Sequence, residues 1–342
     1  MKYSMIDYKD IRQIHLEIAT LCNARCPWCP RNFWGYPLNG GYPELYLTLE
    51  HTKKIFNQDF LKQLTRIRIN GNYGDIVMNP DGEHIVEYFR SSNKDIKIQV
   101  NTNGGARKSD FWKSLAKNRA RVCFAIDGLA DTHSLYRQDT LWRTVIKNAK
   151  TFIANGGEAV WQFIQFDHNS HQINACKQMS KDLGFVKFKV INGNRTNAPV
   201  FNKNGSLSHV IGNYNESTDL DQLLESKTQD QILLEDIIDQ KTESNSLSCE
   251  TINDKSIYIA ANGDVSPCCY LGFYPKTYGK GNYFEAANKQ LISLIHENNA
   301  LEYDIEHCIK WFANVEKKWK EKTYKNGRLV ICDDNCGSCK NC

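Results

Sequence analysis

Long apolar runs are missing from this 342-residue chain. No uncharged apolar stretch exceeds about five residues, against the roughly 20 that a membrane-spanning helix requires, so spanning helices are excluded. The first fifteen residues, MKYSMIDYKDIRQIH, lack the apolar core of a secretory signal. A charge excess is missing as well: 43 Lys and Arg stand against 39 Asp and Glu, and the balance of +4 is spread along the chain. That leaves no clustered basic patch of the kind that binds nucleic acid. Composition is otherwise ordinary, with 41% hydrophobic and 24% charged residues, enough to bury a sizeable core. The length suggests roughly two domains of about 150 residues.

Cysteine is what the chain has in excess. Thirteen is an odd number in a sequence without an export segment, which argues against a disulfide framework and for a reducing, cytoplasmic setting. Three of them, Cys22, Cys26 and Cys29, fall within eight residues. Seven more form a patterned set from Cys249 onward: Cys249, Cys268, Cys269, Cys332, Cys336, Cys339 and Cys342. Clustered thiols in a reducing compartment read as metal ligands. The isolated Cys123, Cys176 and Cys308 read as small buried hydrophobes.

Residues 11 to about 195 alternate β-rich runs with helical patterns. Strands are expected at Ile14–Ile18, Ile67–Ile69, Ile96–Val100, Val122–Ile126, Val160–Phe166 and Val186–Ile191. Helices are expected near His51–Leu64, Glu83–Ser91, Ser109–Lys117, Trp142–Ala154 and Gln172–Leu183. Runs such as VCFAI and IKIQV suit strands covered by helices. The alternation predicts an α/β fold with a parallel sheet, as an open doubly wound sheet or a partial barrel, with ligands at the carboxyl ends of the strands. Residues 196–248 are Asn-, Ser- and Gln-rich and read as a linker with one helix around Asp219–Gln240. From Cys249 a hairpin is expected, SIYIA and VSPCCY about the turn Asn262–Gly263–Asp264, then helices near Tyr283–Glu297 and Ile309–Tyr324. The apolar content of residues 249–342 is low, so metal ligation should supply part of their folding energy.

The segment Cys22-Asn-Ala-Arg-Cys26-Pro-Trp-Cys29 directly follows the first strand. Three soft thiolates select iron–sulfur or zinc over hard cations, and no fourth ligand is near to close a zinc tetrahedron. One metal position therefore stays open. The segment resembles the signature of the radical S-adenosylmethionine (SAM) superfamily, Cys-x3-Cys-x-aromatic-Cys, with Trp28 in the aromatic place. The resemblance covers about residues 12–195 and implies a partial (β/α)6 TIM-like barrel in residues 1–195. It also implies a 4Fe–4S cluster on Cys22, Cys26 and Cys29 that binds SAM and cleaves it to a 5′-deoxyadenosyl radical.

Further segments at the expected strand ends resemble the same family. Gly74-Asp75 is similar to the element that meets the SAM amino group, and Asn101-Thr-Asn103-Gly to the Thr-Asn-Gly element near SAM. Asp127-Gly128 with Tyr136-Arg137 is similar to a stretch of peptide-modifying members. Trp28, Gly74, Asp75, Asn101, Asn103, Asp127 and Arg137 are thus the cofactor-binding candidates, with Arg137 suited to grip the SAM carboxylate in a fork. Taken singly, each segment is no more than a turn with glycine and a polar residue.

The spacing Cys249-x13-Gly263-x4-Cys268 resembles the opening of the SPASM and twitch extensions of that superfamily, which bind auxiliary 4Fe–4S clusters. Neighbours on a strand point to opposite faces, so only one of Cys268 and Cys269 can readily serve such a cluster, and the spacing favours Cys268. The tail departs from the full SPASM pattern, so one auxiliary cluster is expected in residues 249–342, on Cys249, Cys268, Cys336 and Cys339, in preference to two. A four-cysteine zinc knuckle within the tail is the rival reading. Trp161, Phe163 and Phe166 are expected in the core, His168 and His171 at the surface or a helix cap, and Tyr36, Tyr42 and Tyr46 in the loop after the cluster motif.

By resemblance, hydrogen abstraction from a ribosomally made peptide is expected, leading to crosslinking, epimerisation or fragmentation. A flavodoxin or ferredoxin would donate the electron. Only 21 residues precede Cys22, so a separate leader-binding protein is the expected partner. The alternatives are a small-molecule radical dehydrogenase or carbohydrate tailoring enzyme, and an iron–sulfur electron carrier without catalysis.

Overall fold

The computed structural model describes residues 5–37, 43–192, 198–212, 247–273, 290–321, 323–324 and 326–336. Its strands, in chain order, are β1 (Gln13–Leu16), β2 (Asn32–Phe33), β3 (Tyr36–Pro37), β4 (Arg66–Ile69), β5 (Lys97–Thr102) and β6 (Arg121–Ala125), then β7 (Glu158–Gln165), β8 (Lys187–Asn192), β9 (Ala198–Phe201), β10 (Leu207–Ile211), β11 (Ser256–Ile259) and β12 (Val265–Ser266). The chain divides into two compact units. The larger comprises Glu17–Leu49 and Arg66–Gln222, the smaller Met1–Leu16, Glu50–Thr65 and Leu223–Cys342.

In the larger unit β4 to β8 are parallel, and each lies beside the strand before it. Sequential order without a reversal is that of a barrel under construction; a doubly wound sheet would turn back at a switch point. Helices Gly82–Ser92, Ser109–Lys117, Trp142–Ala154 and Ile173–Asp182 make the crossovers. Their sequences explain the packing. Phe111, Trp112, Leu115 and Ala116 bury one face of Ser109–Lys117, and Val145, Ile146, Ala149 and Phe152 one face of Trp142–Ala154. Between them Phe124 of β6 lies 5.3 Å from Trp112 and 6.0 Å from Phe152, ring to ring. Trp161, Phe163 and Phe166 are buried here, as the sequence suggests, and Cys123 and Cys176 are buried too. β9 and β10 form an antiparallel hairpin.

In the smaller unit β1 runs parallel to β11, from Gln13 beside Ser256 to Leu16 beside Ile259, and β12 pairs antiparallel with β11. Gly263 turns that hairpin at φ +90°, where a Cβ would press on Leu301 at 2.8 Å. Tyr8 stacks on Phe60 at 5.1 Å, and Thr65 N–H donates to the Arg12 carbonyl at 2.7 Å. No helix among the described residues is long and apolar enough to cross a membrane.

Three local expectations differ from what is seen. The helix expected over His51–Leu64 is two, Leu49–Ile55 and Gln58–Gln63, because the Asn57 side chain caps the second by accepting from Phe60 N–H at 2.8 Å. Part of the 196–248 linker is the β9–β10 hairpin, which closes because Val200 and Ile211 have core to bury against. Cys268 and Cys269 are not on a strand: β12 ends at Ser266 and a helix begins at Cys269. The compact units also cut the chain differently from the boundaries at 195 and 248, since β1 carries the N-terminal residues into the unit that holds β11. The helical stretch at Asp219–Gln240, residues 283–289 of the stretch Tyr283–Glu297, Tyr42, Cys339 and Cys342 lie outside the described residues.

Candidate functional site

A cavity of about 610 Å³ opens in the larger unit. Its lining comes from the carboxyl ends of the strands and the loops that follow them. Asn70–Asp75 follow β4, Asn101–Asn103 end β5, Cys123 and Ala125 end β6, Gln162 and Ile164 lie late in β7, and Ile191 ends β8. Cys22, Cys26 and Cys29 border the same cavity, with Trp28, Tyr136 and Arg137. Residues spread over more than 100 positions of sequence therefore share one wall, as parallel-sheet folds arrange their ligand sites.

The cysteine loop is held by its own turns. Cys29 N–H donates to the Cys26 carbonyl at 2.9 Å, and Asn32 N–H to the Cys29 carbonyl at 3.2 Å. Trp28 meets Trp34 edge to face at 4.5 Å. Ala24, Cys26, Tyr136, Ile164, Phe166, Val200 and Ile211 form one buried cluster behind the loop, so the β9–β10 hairpin helps to keep it dry.

The polar wall is organised around two carboxylates. Asp75 is buried and accepts four hydrogen bonds: from Thr102 Oγ1 (2.6 Å) and Val77 N–H (3.1 Å) at Oδ1, and from Asn103 N–H (2.7 Å) and Nδ2 (2.9 Å) at Oδ2. Burial nonetheless raises its pKa, against the lowering effect of those donors. Asp127 is fully buried, accepting from Ile164 N–H at 2.6 Å and from Arg137 Nε at 2.6 Å. Burial works against the Arg137 charge, but Asp127 holds that guanidinium protonated well above the ordinary range.

Both carboxylates deliver a donor to a cysteine. Arg137 Nη1 donates to Cys26 Sγ at 3.5 Å, and Asn103 Nδ2 to Cys22 Sγ at 3.5 Å. Burial raises the Cys22 pKa strongly, with Asp75, Cys26 and Cys29 adding to it, and raises Cys29 to about 11. Cys22, unfavourable to ionise yet met by an N–H donor, suits a cationic metal group that would take it as a thiolate. Among the described residues no three His, Cys, Asp or Glu side chains converge closely enough to hold a single ion. The three thiols border the cavity together without meeting at a point.

Not every sequence candidate touches the cavity. Trp28, Gly74, Asp75, Asn101, Asn103 and Arg137 do, whereas Asp127 stands behind Arg137 as its anchor. Gly74 is glycine for a packing reason: a Cβ there would strike the Ala19 carbonyl oxygen at 1.9 Å. The sequence reading missed two features. Glu17, buried just after β1, accepts from Tyr73 N–H (2.7 Å) and Gly74 N–H (3.1 Å) and so pins the Asn70–Gly74 loop. Cys123 lines the cavity beside Gln162 and is more than core filling. An acid just past a strand was the available signal for Glu17. His168 is half-buried and stacks on Phe166 at 5.3 Å, not at the surface.

A second, much smaller cavity of about 20 Å³ lies in the smaller unit. Four cysteines line it, Cys249, Cys268, Cys332 and Cys336, with Met5, Pro267, Leu271 and Ile331 as apolar walls. Burial raises the pKa of Cys268 strongly and that of Cys332 to about 12, and Cys249 adds to both. Cys332, which the spacing left unassigned, therefore stands with three of the four thiols expected to bind metal. Soft, buried donors in an apolar pocket fit an iron–sulfur cluster, with thiolate formation linked to metal binding.

A scan against protein-family models finds no match, and neither does a search of curated proteins. Solved structures do match in fold. SuiB of Streptococcus suis bound to S-adenosylmethionine aligns over 94% of this chain and 77% of its own at 15% identity, TM-score 0.50. SuiB bound to the precursor peptide SuiA gives 94%, 76%, 15% and 0.51 in the same order. The protein anSMEcpe, with bound AdoMet and a Cp18Cys peptide, gives 96%, 91%, 15% and 0.53. At this identity the likeness is one of fold.

Proposed function

We propose that this chain, which shares its fold with those SAM-bound proteins, is a radical SAM enzyme whose reaction takes place in the 610 Å³ cavity. The observation that carries the reading is that Cys22, Cys26 and Cys29 border one cavity with Arg137 and Asn103. The three cysteines would hold a 4Fe–4S cluster through one iron fewer than it has, leaving that iron for SAM. When bound, the cluster supplies the electron that breaks SAM into methionine and a 5′-deoxyadenosyl radical, which takes a hydrogen atom from substrate.

The chain's own residues prepare that event. Asp127 fixes Arg137 through Nε, which leaves Nη groups to pair the SAM carboxylate as well as Cys26. Asp75, Asn103 and the Asn70–Gly74 loop, held by Glu17, form the wall for the SAM ammonium. Ile164, Ile191 and Tyr136 give that cavity apolar surface, which keeps water from a reactive centre.

For substrate we propose a peptide, since SuiB and anSMEcpe were each solved with a peptide bound. Crosslinking, epimerisation or fragmentation would follow hydrogen abstraction, with a flavodoxin or ferredoxin as electron donor and a separate leader-binding protein as partner. The four-cysteine cavity would hold one auxiliary iron–sulfur cluster.

Anaerobic reconstitution tests the core of this. About eight irons per chain are expected, and replacing Cys22, Cys26 and Cys29 together by Ala should leave about four and stop 5′-deoxyadenosine formation. Cleavage that survives the triple change overturns the radical assignment. Mass spectrometry of a short peptide encoded beside the gene then tests substrate class. Turnover of amino-sugar alcohols with none of peptide would favour the small-molecule alternative.

A further inference from the structure

The smaller unit places in its four-cysteine cavity a polar atom that nothing among the described residues satisfies. Trp319 lines the cavity, and its indole Nε1–H is buried with no hydrogen-bond partner among the described residues. A buried indole N–H normally finds one. Trp311 of the same unit does, donating to the Val265 carbonyl at 3.1 Å, as does Trp161 of the larger unit to Ile126 at 2.8 Å. The remaining walls of the cavity are mostly thiols and hydrocarbon, with Tyr270 and Asn335 the other polar side chains, so sulfurs are the most numerous acceptors there.

The backbone that carries the indole is tied to the helix that carries one of these sulfurs. Arg328, itself buried, donates from Nη1 to the Trp319 carbonyl at 3.2 Å and grips Asp333 through Nε (2.7 Å) and Nη2 (2.8 Å). Asp333 is the chain neighbour of Cys332 on helix Val330–Cys336. Gln290 secures the same corner, donating to the Arg328 carbonyl at 3.0 Å and accepting from Val330 N–H at 3.2 Å.

We propose that Trp319 Nε1–H is the hydrogen-bond donor to the Cys332 sulfur in this centre and thereby sets the reduction potential of the group held there. The inference rests on the reading of the cavity as an iron–sulfur site. A donor to a ligand sulfur stabilises whichever state carries more negative charge, which is the reduced one, so it raises the potential. Trp319 is a positioning residue in this sense: it acts on the cluster through a ligand and touches no substrate.

The test uses the full chain with Cys22, Cys26 and Cys29 replaced by Ala, so that iron reports the C-terminal centre alone. In this parent, Trp319→Phe keeps the ring and removes the donor. Iron content should match the parent, while the midpoint potential followed by electron paramagnetic resonance should move to a more negative value. Trp311→Phe is the control and should leave the midpoint in place. A full-iron Trp319→Phe protein with the parent midpoint overturns the proposal. Should that variant lose its cluster, the parent still decides: nitrogen-labelled indole should show hyperfine coupling to the reduced cluster, and absence of coupling overturns the assignment. A parent that binds zinc or no metal overturns the cluster reading, and the donor role with it, and is told apart by metal analysis before any potential is measured.

Discussion

The two cysteine centres are built from the same donor atom and differ in everything around it. The larger unit gathers three thiols on one wall of a cavity of about 610 Å³, beside Arg137, Asp75 and Asn103. The smaller unit gathers four round a cavity of about 20 Å³ with apolar walls. Three thiols beside open space suit a centre that leaves a coordination position for a reactant; four thiols round a small apolar cavity suit one that is closed. The same contrast appears in the polar groups. Around the three thiols they include the charged Arg137 and Asp75, whereas the polar contact proposed for the four is one neutral indole N–H. We read the open centre as the place of chemistry and the closed one as a fold element that can also carry electrons.

Removing thiols separates the two most sharply. The triple change at Cys22, Cys26 and Cys29 should abolish SAM cleavage yet leave the thermal unfolding of the smaller unit little altered. Cys268→Ala should do the reverse: about four irons lost, an unfolding midpoint lowered by roughly 10 °C or more, and 5′-deoxyadenosine still formed. Scanning calorimetry with iron analysis reads both. A Cys268→Ala protein as stable as the wild type would remove metal from the folding of that unit.

A smaller effect is expected from the fork of the open centre. Arg137→Lys keeps a charge beside Asp127 but cannot donate to Cys26 and to a carboxylate in the same geometry. A charge-assisted contact is worth about 1.5–3 kcal/mol, so SAM affinity should weaken about ten- to a hundred-fold, with iron content unchanged. Unchanged affinity by calorimetric titration would move the SAM carboxylate away from Arg137.

The smallest effect is a pH dependence confined to the larger unit. His133 is fully buried, with Nδ1 accepting from Asp127 N–H at 3.2 Å and Nε2 3.0 Å from Thr140 Oγ1. Burial lowers its pKa from 6.5 to about 4, and the nearby Arg137 adds to this while Asp127 opposes it. The unfolded chain therefore takes up a proton below 6.5 that the folded chain refuses until about 4. Stability from this group is present above pH 6.5 and is lost as pH falls through that window. Denaturant midpoints of the larger unit between pH 7 and 5 should fall, with a flatter slope in His133→Gln. Equal slopes would assign the dependence to other groups.

Much of the larger unit was legible in advance because its signals are local. Ser109–Lys117 and Trp142–Ala154 form where their apolar periodicity says, and strands β4 to β8 lie within a few residues of the apolar runs that announce them. The three-cysteine loop could be read because its spacing and its place after a strand are both one-dimensional. The β9–β10 hairpin was not legible, since residues 196–212 look like polar linker until Val200 and Ile211 are seen packed behind the cluster loop. Glu17 was missed for the same reason: its partners, Tyr73 and Gly74, are more than fifty residues away.

Sequence alone determined which residues are candidates for chemistry, because thiols, glycines and carboxylates declare themselves by type and spacing. Tertiary structure decided what each of them does. It set Asp127 behind Arg137 and out of the cavity, gave Asp75 four donors from the protein itself, and brought Cys332 into the ring with Cys249, Cys268 and Cys336. These are questions of which groups face one another across long stretches of chain. The answer depends on the pairing of strands and the burial of charge, and no spacing rule contains it.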